Sequence, residues 1–222
     1  MSLNLSKGNM YDWVTHTWNT VKGKCNHDCQ YCYMKTWGDL RATRFDEKEF
    51  RTDLGNGNTI FVGNSNDMFA DNIPSEWIER TIEYCRKFDN TYVFQTKDPG
   101  RLLRMSIQLP KMMIGTTIET NQQDLLNKIS KAPPVVARSA AMSELHSRGW
   151  RTFITIEPIM MFDLDPFAEL ILQASPDFVN IGADSKQHGL VEPKKTEVDL
   201  LIQYLVSKGI SIRKKENLGR LS

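Results

Sequence analysis

The sequence predicts an α/β fold on a parallel, curved sheet, and two observations predict it. Short apolar runs of strand length alternate with stretches of helical periodicity along nearly the whole chain. Polar residues gather directly after the apolar runs, at the carboxyl ends of the expected strands, where parallel sheets bind their ligands. A repeated strand, loop, helix order with right-handed crossovers makes the sheet parallel. Six such strands are too few for a closed eight-stranded barrel, which leaves a partial barrel or an open doubly wound sheet.

The elements follow in order. Val14 to Asn19 reads as a first strand entering a cysteine-bearing loop, and Ile60 to Gly63 as a second that ends in Asn64-Ser65-Asn66-Asp67. Pro74 opens a helix through Lys87, with Trp77, Ile78, Ile82 and Cys85 on its inner side. Thr91 to Thr96, Met112 to Ile118, Arg151 to Ile156 and Phe178 to Gly182 are the third to sixth strands. Helices fit between them at Arg101 to Gln108, Gln122 to Ile129, Ser139 to Ser147 and Pro166 to Ala174. A last helix covers Lys194 to Ser207, and Ile210 to Arg213 is a candidate closing strand.

Composition sets outer bounds. A chain of 222 residues buries one sizeable core, and no Pro/Gly/Ser-rich linker divides it, so residues 1–222 read as a single domain. Lys and Arg total 28 against 27 Asp and Glu, a balance that gives no general electrostatic case for wrapping nucleic acid but leaves local patches open. No apolar run reaches membrane-spanning length, and Met1-Ser2-Leu3-Asn4 lacks the character of a signal peptide; the expectation is a cytoplasmic protein with no membrane partner.

Cys25, Cys29 and Cys32 fall in a CxxxCxxC run. Three thiolates at this spacing suit three irons of a [4Fe-4S] cube and leave the fourth iron open to a small molecule, which points to an enzyme. A zinc site is the competing reading and needs a fourth ligand, for which His27 and Asp28 are nearest. Cys85 sits in an expected helix, and His16, His146 and His188 are scattered. A disulfide framework has little support in a long chain with few cysteines.

The run Cys25-Asn26-His27-Asp28-Cys29-Gln30-Tyr31-Cys32 resembles the cluster loop of the radical S-adenosylmethionine superfamily, in spacing and in the aromatic before the third cysteine. The resemblance implies a partial (β/α)6 TIM-like barrel, a cluster loop at 25–32 and S-adenosylmethionine on the open iron. It also implies cleavage of that cofactor by one electron to methionine and a 5'-deoxyadenosyl radical, with a reducing partner such as flavodoxin or ferredoxin. From Trp18 to Lys214 the chain is further similar to small, often phage-associated radical S-adenosylmethionine proteins, themselves similar to spore photoproduct lyase and the DNA repair photolyase-like set. In that group the stretch at Asn66-Asp67-Met68-Phe69 reads Ser-Asp-Leu-Phe, that at Gln95-Thr96-Lys97 reads Leu-Thr-Lys, and Ile156-Glu157-Pro158-Ile159 is nearly unchanged.

Site candidates follow from the strand ends. By the resemblance, Asn64, Ser65 and Asp67 lie nearest the methionine amino group, and short polar side chains suit an ammonium. Thr117 and Glu119 are candidates for the ribose hydroxyls or the methionine end, and Tyr31 and Tyr33 flank Cys32, beside adenine or simply packed over the cluster. With Lys214, Glu157 and Asp184 are the catalytic candidates, and these two carboxylates face the substrate side. Lys97 and Lys214 are expected to pair with them, with an anionic substrate or with the cofactor carboxylate, the last role suiting Lys97 best. A lyase-like reaction on a nucleic-acid or nucleotide component is the leading expectation. A radical enzyme acting on a small-molecule phage or host metabolite, and a non-catalytic cluster protein that binds S-adenosylmethionine, are the alternatives. In spore photoproduct lyase the hydrogen donor is a cysteine beyond the cluster; here only Cys85 remains, and it reads as buried far from the strand ends.

Overall fold

The computed structural model describes residues 3–105, 107 and 111–221. Its main sheet has eight strands among the described residues, and the spatial order follows from the crossovers the sequence predicts. A short edge strand β1 (Asn4–Leu5) runs antiparallel to β2 (His16–Trp18), pairing Asn4 with Thr17. Beyond β2 lie β5 (Thr59–Val62), β6 (Thr91–Gln95), β7 (Met112–Thr117), β8 (Arg151–Ile156), β9 (Phe178–Ile181) and β10 (Ile212–Lys214), each parallel to its neighbour. These strands are rich in β-branched and aromatic residues, and β7 is buried along its whole length, as strands covered on both faces must be. The candidate closing strand therefore exists as a seventh parallel member, and β1 and β10 stand at opposite edges, so the sheet is open.

Helices α1 (Ser75–Cys85), α2 (Pro99–Leu103), α3 (Gln123–Ile129), α4 (Val135–Ser147), α5 (Leu164–Gln173) and α6 (Lys195–Ser207) fill the crossovers. The helix expected over Arg101 to Gln108 begins earlier, because Pro99 takes a first-turn position where its missing N–H costs nothing, and it ends at Leu103. Gln108 lies outside the described residues. Helix α4 starts four residues before the expected Ser139: Pro134 stands at its N-cap, and the buried Arg138 in its first turns disguises the apolar face. Ile78, Ile82, Met142, Phe167, Ile171, Leu201 and Leu205 pack from these helices onto the outer face of the sheet. By the area rule each such burial contributes about 1.5–3 kcal/mol before chain entropy is counted.

A second, smaller core lies on the opposite face. Phe61, Val93, Met113, Phe153 and Phe178, one from each of β5 to β9, meet Tyr11 and Val14 of the amino-terminal segment, with Met10 and Trp13 against them. On a flat sheet β5 and β8 would stand about 14 Å apart, three strand spacings. The Tyr11 ring nevertheless lies 6.3 Å from that of Phe61 and 5.9 Å from that of Phe153, so the sheet curves around it. Gly115 permits this closeness, since a Cβ there would meet the Phe153 ring at 2.2 Å. The result is a partial barrel whose concave side is plugged at one end by the chain's own amino-terminal segment.

A two-stranded ribbon, β3 (Val21–Lys22) with β4 (Arg44–Phe45), was not legible in the sequence. It clamps both ends of the excursion that carries the cysteines. Gly23 is required at the clamp: its φ is +99°, and a Cβ would meet the Ala42 carbonyl oxygen at 2.4 Å. The Lys24 amide donates to the Arg41 carbonyl at 2.8 Å, and the Lys22 ammonium to Asp46 at 2.8 Å and Glu49 at 2.5 Å.

Candidate active site

The carboxyl ends of the parallel strands open into a cavity of about 1110 Å³. That is more than the 300–1,000 Å³ of an ordinary small-molecule site, so it has room for a cofactor and a substrate side by side. Cys25, Cys29 and Cys32 line it, Cys29 buried and the others half-buried, and all four cysteines are free. Burial, with Asp67 nearby, pushes the Cys25 thiol up to about 11, so the loop presents a protonated thiol there. Cys29 Sγ lies 3.1 Å from Ser130 Oγ. Among the described residues no three His, Cys, Asp or Glu side chains are gathered into a metal-binding group.

The donor chemistry of this wall fits an iron-sulfur cluster better than zinc. Both nearby candidates for a fourth zinc ligand are engaged: His27 Nε2 holds Asp67 at 2.9 Å, and Asp28 pairs with Lys35 at 2.9 Å and Lys131 at 3.3 Å. The loop is docked as a unit. The Gln30 amide donates to the Ile129 carbonyl at 2.7 Å, and the Lys131 amide to the His27 carbonyl at 2.7 Å.

Beside the thiols, at the end of β5, three successive side-chain oxygens are buried without a partner: Asn64 Oδ1, Ser65 Oγ and Asn66 Oδ1. Native proteins rarely leave such atoms unsatisfied, and three together on a cavity wall mark a place for a donor-rich ligand such as an ammonium. Asn66 is a residue the sequence reading passed over, although it stands inside the same polar block. Its Nδ2 donates to the Gly23 carbonyl at 3.0 Å, which ties the β5 loop to the clamp.

Asp67 lines the cavity but is heavily used. It accepts from the Lys97 amide at 2.7 Å, Thr96 Oγ1 at 3.1 Å and the Phe69 amide at 3.0 Å, in addition to His27. Burial alone would raise its carboxyl, but the His27 hydrogen bond and charge outweigh it and hold the group below the usual range. Tyr33 donates to the Asn64 carbonyl at 2.7 Å, and burial pushes its phenol up to about 12. Tyr31 donates to Glu119, with the Lys97 ammonium 5.4 Å from its ring centroid; burial raises its phenol strongly.

Glu119 does not line the cavity. It is fully buried, one oxygen taken by Tyr31 and the other by Arg138 at 2.9 Å, with Lys97 4.0 Å away. Burial would raise this carboxyl, and the Arg138 and Lys97 charges bring it below its ordinary value. Arg138, unforeseen in the sequence, also donates to the Thr117 carbonyl at 2.9 Å and the Pro133 carbonyl at 2.7 Å. Thr117 Oγ1 faces the cavity and accepts from Gln95 at 3.1 Å and Lys97 at 3.3 Å.

On the far side, Glu157 and Asp184 both line the cavity. Asp184 accepts from His188 Nδ1 at 2.7 Å and the Lys186 amide at 3.2 Å. Glu157 accepts from Asn9 at 2.7 Å and Asn217 at 3.0 Å, and pairs with Lys215 at 2.9 Å. The expected pairing of Lys97 and Lys214 with these carboxylates is corrected: Lys97 belongs to Glu119 and Thr117, and Lys215 replaces Lys214. Alternation along β10 is the reason. Arg213 and Lys215 project to the concave face, Arg213 stacking 3.8 Å over Phe178, whereas Lys214 is exposed and acts on Asp199 of α6. Tyr11, also missed, donates to Gln95 Oε1 at 2.7 Å and lies 2.5 Å from Thr155 Oγ1 on the cavity floor. Cys85 is fully buried and lines a groove elsewhere, not this cavity.

No protein-family model and no curated protein sequence matches the chain. Solved structures do. A spore photoproduct lyase variant superposes with a TM-score of 0.68 at 13% identity over 96% of this chain and 80% of that one. Another, with bound AdoMet and dinucleoside spore photoproduct, gives 0.62 at 15% identity over 91% of this chain, which spans 64% of its length. SuiB of Streptococcus suis bound to S-adenosylmethionine gives 0.62 at 10% identity over 90% of this chain and 50% of that one. The α/β architecture with its mostly parallel sheet is therefore similar to the radical S-adenosylmethionine fold of spore photoproduct lyase. Among the described residues no helix is long and apolar enough to cross a membrane.

Proposed function

We propose that the chain is a radical S-adenosylmethionine enzyme with a [4Fe-4S] cluster on Cys25, Cys29 and Cys32, acting on a nucleic-acid or nucleotide component. The observation that carries this reading is the juxtaposition of three free thiols with three unpartnered buried oxygens on one wall of a cavity at the strand ends. When bound, the cluster and S-adenosylmethionine supply a 5'-deoxyadenosyl radical from one electron. Asn64, Ser65 and Asn66 accept the hydrogens of the methionine ammonium. Lys97, half-buried and held beside Thr117, offers its charge to the methionine carboxylate. Asp67 acts as a positioning residue, joining His27 of the cysteine loop to the β6 backbone at Lys97. Glu119 likewise orients Tyr31 rather than touching the cofactor.

Glu157 and Asp184 face the substrate, their orientations fixed by Lys215, Asn217 and His188. A small reducing protein of the flavodoxin or ferredoxin type delivers the electron. Because Cys85 lies outside the cavity, hydrogen return to substrate proceeds by a route other than a cysteine.

Anaerobic reconstitution tests the reading. The wild-type chain should bind about four irons and four sulfides, and Cys25→Ala, Cys29→Ala or Cys32→Ala should each abolish the normal site. Reduced protein with S-adenosylmethionine should release 5'-deoxyadenosine, detected by chromatography. A single tightly held zinc, or intact cofactor under strong reduction, would overturn the proposal.

A further inference from the structure

The mouth of the cavity carries a charge pattern that the inner site does not use. Of the carboxylates lining the cavity, Asp28 is paired with Lys35 and Lys131, Asp67 with His27, Glu157 with Lys215 and Asp184 with His188. Asp39 alone is left with no ion pair among the described residues. Of the lining lysines, Lys35, Lys97 and Lys215 are engaged by acids. Lys7, Lys24 and Lys186 are exposed and make no ion pair among the described residues. These three come from the amino-terminal segment, the entry to the cysteine loop and the loop after β9, so the fold gathers them from three remote stretches of chain.

The same cavity is lined by Trp37, on the short 3-10 helix Tyr33–Trp37 that follows the cysteines. It is 78% exposed, the most exposed large apolar side chain among the described residues. The other tryptophans are buried or half-buried. An indole held in water on a cavity that three lysines without ion pairs also line matches a ligand that is anionic and carries flat aromatic faces. Single-stranded nucleic acid has both properties, and base stacking on an aromatic platform requires the unpaired face that a duplex hides.

We propose that the cavity mouth grips single-stranded nucleic acid, with Trp37 stacking on one base and Lys7, Lys24 and Lys186 contacting phosphates. This rests on the nucleic-acid reading of the site given above. The grip explains how a protein of nearly balanced charge holds a strand: three local contacts suffice, and no extended basic surface is needed.

The test uses the reconstituted full chain and a fluorescein-labelled oligo(dT) of eight nucleotides, followed by anisotropy. Wild type should bind the strand more tightly than a hairpin duplex of equal charge, with a logarithmic salt slope of about −2 from three phosphate contacts. Trp37→Ala should weaken binding by roughly ten-fold or more, and Trp37→Phe should restore most of it. Lys7→Gln, Lys24→Gln and Lys186→Gln should each lower the slope by about 0.7. Iron content of every variant reports whether the loop is intact, so lost binding with a normal cluster is a loss of contact and not of folding. Unchanged affinity in Trp37→Ala with normal iron, or equal affinity for dTMP and the oligomer, overturns the proposal. The two readings fail separately: cofactor cleavage without strand binding refutes the grip alone, whereas strand binding without cofactor cleavage refutes the enzyme.

Discussion

Replacing Glu119 with glutamine probes the polar contact at the heart of the fold. The side chain is 0% exposed and its Arg138 partner 1%, so neither group has water to fall back on. Glutamine keeps the shape and an acceptor for Tyr31 but leaves the Arg138 guanidinium facing a neutral amide, with two backbone carbonyls as its remaining partners. Removing one partner of a buried pair destabilises by about 3–5 kcal/mol, because the other charge stays buried and uncompensated. For a domain of this size that corresponds to a fall in melting temperature of about 6–20 °C. Circular dichroism melts of the metal-free chain at pH 7.5 measure it. The pH dependence supplies a second check. Glu119 titrates below its unfolded value in the folded protein, so its contribution is fully present above about pH 4.3 and fades as pH falls through the folded value. The gap between wild type and Glu119→Gln should therefore narrow in acid. A melting temperature within 2 °C of wild type at pH 7.5, or a gap that widens in acid, would refute the argument.

Gly115→Ala drives a methyl into the Phe153 ring at 2.2 Å, and overpacking of this kind should lower stability by about 1–3 kcal/mol in urea titrations, with Phe153→Leu in the same chain recovering part of the loss. Gly23→Ala forces a side chain into left-handed backbone and against the Ala42 carbonyl; helical ellipticity should persist while iron uptake falls, and full iron uptake would count against the clamp. In the metal-free native chain iodoacetamide should modify Cys32, reach Cys25 only slowly because burial pushes its thiol up to about 11, and spare Cys85 until denaturant is added, as mass spectrometry of peptides would show, since Cys85 is wholly buried.

The repeating units of the barrel were legible because strands covered on both faces carry dense apolar runs, and Arg151 to Ile156 matches its expected limits. Two-residue strands such as β3 and β4 have no such signal; they are held by their neighbours, not by pattern. Residues that line the cavity were legible where they are close in sequence, as in the cysteine run and the block from Asn64 to Asp67. The site was obscured where the direction of a side chain decides. Glu119 and Lys214 stand at the right ends of strands yet point away from the cavity. For Lys214 a signal existed: Ile210 and Ile212 set the parity of the strand toward the helices, which assigns Lys215 and not Lys214 to the concave face. For Glu119 none existed, since its partner Arg138 belongs to another element. Nor does any periodicity announce that Tyr11 and Trp13 leave the surface to fill the inside of the sheet.

The clamp at Gly23 has a consequence for the life of the protein in air. Residues 24 to 43 leave and return at a two-residue ribbon, and the loop is seated from outside that ribbon by bonds to α3, Ser130, Lys131, Asn64, Asp67, Asp71 and Glu119. Such a limb opens with less free energy than the scaffold it rests on. Under the cluster proposed above, loss of iron would loosen one segment and leave the seven parallel strands folded, a ready mould onto which the emptied loop settles again. On that proposal, repair would call for iron, sulfide and reductant and for no rebuilding of the fold.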